Sequence, residues 1–404
     1  MTAASRKEAE ALDATDPLRA VKAQFELPEG VIYLDGNSLG PPPKAALARL
    51  KHAGEVEWKR DLIKSWNEAA WIDLPNACGA KVAKIIGADR QDVIVCDCVS
   101  ANIFKLAAAL WNRNGAVGHE RGEFPTDGYV LDGLAGLVNA ELALLPPGDI
   151  ERLGRYNLSV FVKSAVHYKT AAVVDIAAWE RAAAKHNVSI IWDLSHAAGV
   201  IALDLKAAGA KFAVGCGYKF LNGGPGAPAY VYVAREAAEK LNQPIAGWMG
   251  CAAPFDFGAE YEPAPGVRRF ASGTPPILSM SALDAALDIY DGLDIAAVEA
   301  KAKALGDLFI ARAEAMDLRS VSPGAGARRG AHAAFQSERA YEIVQTLIAR
   351  GVIGDFRAPN LMRFGFSPLF LSYSNVWDAA AHLQDILDRQ EWRREAFAVR
   401  KWVT

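Results

Sequence analysis

Between about residues 80 and 240, apolar runs of strand length alternate with alanine-rich segments of helical period. That alternation admits few folds. Strands with near-continuous Val/Ile character have no face to give to water, so they must be covered on both sides by the helices between them, as in a βα-wound, largely parallel sheet. The pattern predicts strands at 93–97, 158–164, 188–193, 212–215 and 229–234, with helices at 176–186 and 236–241. From 279 to about 315 an Ala/Leu-rich helical stretch with few breakers leads toward a second domain. There, strands are expected at 333–336, 352–356 and 361–366, and helices near 339–349 and 376–389. A chain of 404 residues exceeds what one core holds, since single cores stop growing near ~250–300 residues. The expected division is an N-terminal segment, 1–45, packing with the small domain; a large α/β domain, 46–285; and a small C-terminal α+β domain, 286–404. The Pro-rich turn at Pro41, Pro42 and Pro43 feeds a helix, whose start tolerates proline.

Net charge is −3 and the pI about 6.2, which leaves no field to gather phosphate backbones or anionic lipid. A small-molecule ligand is expected, with neither nucleic acid nor membrane as partner. The N-terminal residues lack the apolar core of a signal peptide, and no stretch reaches the ~20 apolar residues of a membrane span, so a cytoplasmic location is expected. Five cysteines, Cys78, Cys96, Cys98, Cys216 and Cys251, suit reduced thiols. The C-x-C pair at Cys96 and Cys98 would place both on one strand face. No second Cys/His pair at ligand spacing accompanies it, and no metal is expected.

Two motifs carry chemistry. In WDLSHAAGV, Asp193 closes a buried strand, where α/β sheets bind ligands. In GCGYKFLNGGPGAP, Lys219 follows another strand end among Gly217, Gly223, Gly224 and Gly226, which would let the backbone approach a bulky ligand. A helix cap explains the aspartate alone, and a solvated side chain the lysine alone. Together they meet the needs of pyridoxal phosphate: an amine for the Schiff base, and an acid to keep the pyridine nitrogen protonated so that the ring draws electrons. His196, three residues after Asp193, is either near that ring or a hydrogen-bonded core histidine. Ser100 opens a helix whose free N–H groups favour an anion, although capping also explains it.

These motifs stand in an order that resembles the kynureninase family over nearly the whole chain. The matching segments are YLDGNSLGPPP from Tyr33, FPTD from Phe124, HYKTA from His167, WDLSHAAG, GYKF, GWMG from Gly247, SGTPP from Ser272 and RFGFSPLFLSY from Arg363. The resemblance implies the aspartate-aminotransferase-like fold, a homodimer with active sites near the interface, and hydrolysis of L-kynurenine to anthranilate and L-alanine in tryptophan catabolism. It makes Lys219 the Schiff-base lysine and Asp193 the partner of the pyridine nitrogen. Phe124 would stack on the ring, and Val99, Ser100, Thr126, Asp127 and Thr170 would line the cofactor pocket. His196 would lie near the ring, and Tyr218 would donate to the phosphate. Trp248 and Thr274 belong to segments that reach a neighbouring active site in such a dimer. Arg363 would hold the substrate carboxylate by its two-donor fork, with Asn37 and Ser38 beside it, and Tyr218 and Ser38 would supply hydroxyls for the hydrolytic step.

From the residues alone, Phe124 reads as core packing and Asp127 as a helix cap, while Arg363, inside an alternating strand, is either a core-facing charge that needs a partner or a solvent-facing one. One departure from the family is Cys251, where histidine usually follows GW-x-G. Another oddity is AVGHERGE before FPTD, which is less apolar than a buried strand there should be. Two alternative functions share Asp193 and Lys219: a related aminotransferase, and a cysteine desulfurase with Cys251 as its nucleophile. A non-enzymatic relative would not need both residues.

Overall fold

The structure is a computed structural model that describes residues 3–401. Its strands are β1 (Ile32–Tyr33), β2 (Val93–Val95), β3 (Ala116–Glu120), β4 (Leu142–Leu145), β5 (Leu158–Ser164), β6 (Ser189–Asp193), β7 (Phe212–Cys216), β8 (Ala229–Val233), β9 (Arg319–Ser320), β10 (His332–Gln336), β11 (Val352–Ile353), β12 (Asp355–Arg357) and β13 (Leu361–Gly365). Seven form the large sheet in the order β2-β8-β7-β6-β5-β3-β4. Every pairing from β4 to β7 is parallel, while β8 runs antiparallel to both neighbours. Because β8 is the one reversed strand, β2 points the same way as β6 and β7. The carboxyl ends of these three strands therefore share one edge.

Alternate residues of these strands feed two cores. On β6, Ile191 joins Ile103, Leu106 and Leu134 from the helices Val99–Leu110 and Pro125–Val138. Ile190 and Trp192 face the other way, toward Val82 and Trp179. That second core continues into the small sheet, where Phe309, Phe335, Phe364 and Phe366 are buried together. At ~1.5–3 kcal/mol for each fully buried large apolar side chain, this two-sided burial is the main stabilising term.

The small sheet has the order β12-β13-β10-β9 and is antiparallel. The strand expected over 352–356 is two strands: β11 pairs in parallel with β1, and β12 joins β13. Gly354 lies between them, where a Cβ would sit 2.5 Å from the Phe364 ring. The N-terminal segment is tied here too: Asp13 accepts from the backbone N–H of Tyr373 and Ser374, and Asp16 pairs with buried Lys301 at 2.6 Å.

Other expectations need correction. The helical stretch from 279 is broken: one helix, Ile277–Leu287, ends in a 3-10 turn, Gly292 adopts φ 77°, and Asp294 caps a new helix, Ile295–Glu314. Cys96 and Cys98 do not share a strand face, because β2 ends at Val95 and Asp97 turns to φ 47°, leaving Cys96 buried and Cys98 exposed. The polar run AVGHE is strand β3 after all. Its buried Glu120 meets Lys163 of β5 at 2.6 Å, so the departure from apolar character is one half of an ion pair.

Candidate active site

The shared carboxyl edge brings the chemistry together. Asp193 is the last residue of β6, and Lys219 lies three residues beyond β7. The helix Val99–Leu110 begins just after β2, with no side chain capping its first turn. A fourth contributor comes from far away in sequence: the backbone N–H of Gly40 donates to the Tyr218 carbonyl at 2.8 Å, which lays the Asn37–Ser38 turn against the lysine loop. A Cβ on Gly40 would sit 2.2 Å from the Lys219 carbonyl, so only glycine permits this contact. The glycines after Lys219 serve packing more than a ligand. A Cβ on Gly217 or Gly223 would press on Leu283 and nearby backbone, whereas Gly224 and Gly226 turn the chain with φ of 85° and 75°.

The Nζ of Lys219 lies 3.0 Å from His196 Nε2 and 5.8 Å from the centre of the Phe124 ring. His196 is buried, and burial first, then the positive charges of Lys219, Arg363 and Arg357, holds it well below the ordinary histidine range. It is therefore the neutral partner of the amine, with its ring 5.2 Å from that of His332. Phe124 is 38% exposed and so is not core packing; its edge-on neighbour is Tyr168 at 5.4 Å. Thr170 accepts from the Ala172 N–H and meets His167 at 3.0 Å, and Thr126 lies in the first turn of the helix Pro125–Val138.

Two carboxylates face this amine. Asp193 accepts from the Ser195 N–H at 2.8 Å and its hydroxyl at 2.5 Å, yet burial still raises its pKa. Asp127 does not cap its helix. Its Oδ1 is buried without a partner, and burial, with Asp193 and Glu123 close by, pushes it well above the ordinary carboxylate range. Glu123 is itself held by Lys163 at 2.7 Å. The set thus has an excess of buried acid and an orphaned carboxylate oxygen, which is what a protonated ring nitrogen would relieve. Phe124 offers a flat face, the uncapped first turn with Val99 and Ser100 offers N–H groups to an anion, and Lys219 offers an amine. The residues present fit a phosphorylated pyridine aldehyde.

Beside this lies a cavity of about 600 Å³ lined by Ser38, Asp97, Cys98, Tyr218 and Thr274 among others. Trp248 is not on its wall, packing instead with Phe255 at 5.6 Å. The thiols on the wall are Cys96 and Cys98. Cys251, which the sequence offered as a nucleophile, is not among the lining residues, and its backbone bridges to Pro263.

Arg363 is 2% exposed and does not face solvent. Its Nε donates to Asp355 Oδ1 at 2.9 Å and its Nη2 to Asp355 Oδ2 in a still shorter contact; Nη2 also meets Ser38 Oγ at 2.8 Å, and Nη1 the Tyr168 carbonyl at 2.7 Å. The fork expected to face a substrate is thus closed on Asp355. Both polar atoms of buried Asn37 lack a partner. Sequence reasoning missed Asp35, Asp355 and Arg357, which complete this cluster. Arg357 Nη2 lies 2.6 Å from Asp355 and 3.1 Å from Ser38 Oγ. The available signal was the charge pattern of DFR one turn before LMRFG.

A family model described as the kynureninase C-terminal domain matches residues 298–383. A kynureninase of Burkholderia mallei is 42% identical, covering 99% of this chain and 100% of its own. One from Pseudomonas fluorescens is 41% identical with the same coverage. Among solved structures, a C-DES variant with glycine covalently linked to its PLP cofactor superposes with a TM-score of 0.80 at 16% identity, covering 90% of this chain and 99% of that one. The last likeness concerns the fold alone.

Proposed function

The chain belongs to the kynureninase family, and from that premise we propose how its residues divide the work. It is a pyridoxal-phosphate-dependent hydrolase that cleaves the Cβ–Cγ bond of L-kynurenine to give anthranilate and L-alanine, a step of tryptophan catabolism. The observation that carries the division of roles is the amine of Lys219, 3.0 Å from a neutral His196 and opposed by two buried carboxylates.

When bound, the cofactor supplies a cationic ring that accepts electrons from the substrate's Cα. Lys219 is the residue that carries it and then moves the proton at Cα, with His196 Nε2 orienting its Nζ. Asp193 would keep the ring nitrogen protonated, and Asp127 would add a second acid beside it. Phe124 would offer its flat ring to the cofactor, which Val99, Ser100, Thr126, Thr170 and the Tyr218 hydroxyl would hold. Ser38 and Tyr218, both on the cavity wall, serve the hydrolytic step, and Asn37, whose buried amide is unpaired next to Ser38, serves substrate binding. Arg363 fixes the substrate carboxylate by its Nη edge, since its other edge is held by Asp355.

The further readings are a cytoplasmic homodimer in which Trp248 and Thr274 serve a neighbouring site, and the domain division 1–45, 46–285 and 286–404. Exposed Phe255 and Phe257 beside Trp248 support the homodimer, and the ties of Asp13 and Asp16 to the C-terminal part support the packing of the N-terminal segment with the small domain. No helix among the described residues is long and apolar enough to cross a membrane. The test is incubation with L-kynurenine: anthranilate and L-alanine in equal amounts are expected. A keto acid would instead indicate transamination, and sulfide released from L-cysteine would indicate a desulfurase.

A further inference from the structure

Arg363 is the arginine the motifs single out, yet the structure leaves it little to offer a ligand. Asp355 closes one of its edges, Ser38 and the Tyr168 carbonyl meet the other, and the side chain is 2% exposed. Arg357 differs on each point. Its side chain is 38% exposed, its Nε is buried without a partner, and its contacts are to the same Asp355 and Ser38 through Nη2 alone. One carboxylate, Asp355, is thus shared by two guanidinium groups, which leaves the cluster short of an anion. Ser38 touches both arginines and also lines the cavity, so it marks the point where an entering anion would meet them.

We propose that Arg357 is a substrate-binding residue that receives the α-carboxylate of the amino-acid substrate together with Arg363, the carboxylate taking the place of Ser38 Oγ between the two guanidinium groups. Asp355 then pins Arg363 as the fixed half, and Arg357 is the half with an unmatched donor. A charge-assisted contact of this kind is directional, so it selects a carboxylate over a neutral amide of the same size. Asp35, facing Asp355, Arg357 and Arg363 from the Ser38 turn, adds no partner for Arg357 among the bonds of the described residues. The proposal rests on the kynureninase reading of the cavity, and wild-type turnover of L-kynurenine reports on that reading separately.

The test compares the affinity of the cofactor-loaded enzyme for the product L-alanine with that for L-alaninamide, which lacks the charge. Arg357→Gln is expected to weaken L-alanine by ~10–100-fold and the amide by less than about twofold, with the melting temperature and cofactor absorbance unchanged. A merely structural role would move both ligands together, and loss in equal measure would overturn the proposal, as would an unchanged preference. Wild-type enzyme gives a second reading that does not depend on the variant folding. Phenylglyoxal labelling of Arg357, read by peptide mass spectrometry, should be slowed by L-alanine and not by L-alaninamide. Labelling at the same rate with and without L-alanine would overturn the assignment.

Discussion

The two halves of the active site are built from opposite charges and by opposite means. Around Lys219, acids outnumber bases: Asp193 ends a strand, Asp127 lies in the first turn of a helix, and Glu123 is in the short loop before that helix. Around Ser38, two arginines share one ionised carboxylate, and the groups come from the N-terminal segment and the small sheet, with partners 317 and 325 residues apart. The acid-rich half suits a cationic ring, and the arginine-rich half suits an anionic substrate. The former is set by local backbone, whereas the latter exists only once distant parts of the chain have docked.

The strongest way to break this division is at the acid-rich half. Lys219→Ala should fold and melt as the wild type does, because its contacts are with His196 and the Phe124 face and not with the apolar core. Turnover should fall on the order of 10⁴–10⁶-fold, as when a residue that bonds covalently is removed. Borohydride reduction of the wild type should fix the pyridoxyl group on the peptide containing Lys219; recovery on another lysine would place the chemistry elsewhere. Asp193→Asn should keep the cofactor bound yet lose ~10²–10³-fold in kcat, since an amide cannot favour a ring cation as a carboxylate does. If kcat were unchanged, Asp127 would be the acid that matters.

These two residues were legible because strand-end Asp and Lys are local features of a pattern in which continuous apolar runs alternate with helical segments. The large sheet was legible for the same reason. Arg357, Asp355 and Asp35 were not, because a charge in a short strand means nothing until its partner is known, and those partners lie across the chain. Lys163 shows the same limit: in a strand with every residue buried, only the structure reveals Glu120 and Glu123 as its counter-charges. The break at Gly292 was hidden by alanine and leucine on both sides, which favour helix wherever they fall.

A smaller effect is expected at the arginine-rich half. Arg363→Lys keeps a charge and loses the fork that Asp355 grips, so it should raise KM and lower kcat/KM by ~10–100-fold. The absorbance of the bound cofactor should not change. A matching loss of cofactor would show that the two halves are one unit and that the contrast drawn here fails.

The smallest effect separates the halves by pH. Burial first, and then the charge of Asp355, pushes the Asp35 carboxyl up to about 7, against the pull of Ser38, Arg363 and Arg357. A carboxyl raised in the fold favours the native state fully below the ordinary carboxylate range, and that advantage is lost as pH rises through about 7. The melting temperature of Asp35→Asn should therefore gain on that of the wild type between pH 5 and 8. The same ionisation puts a negative charge near the arriving substrate carboxylate. At partly screened distances that repulsion is worth roughly 1 kcal/mol, so the wild type should bind L-alanine about fivefold more weakly at pH 8 than the variant, relative to pH 6. The titration of the ligand's own amine is common to both proteins and cancels in the comparison. Parallel profiles for the two proteins would mean that Asp35 keeps one protonation state throughout, and that the charge of the arginine-rich half is fixed over this range.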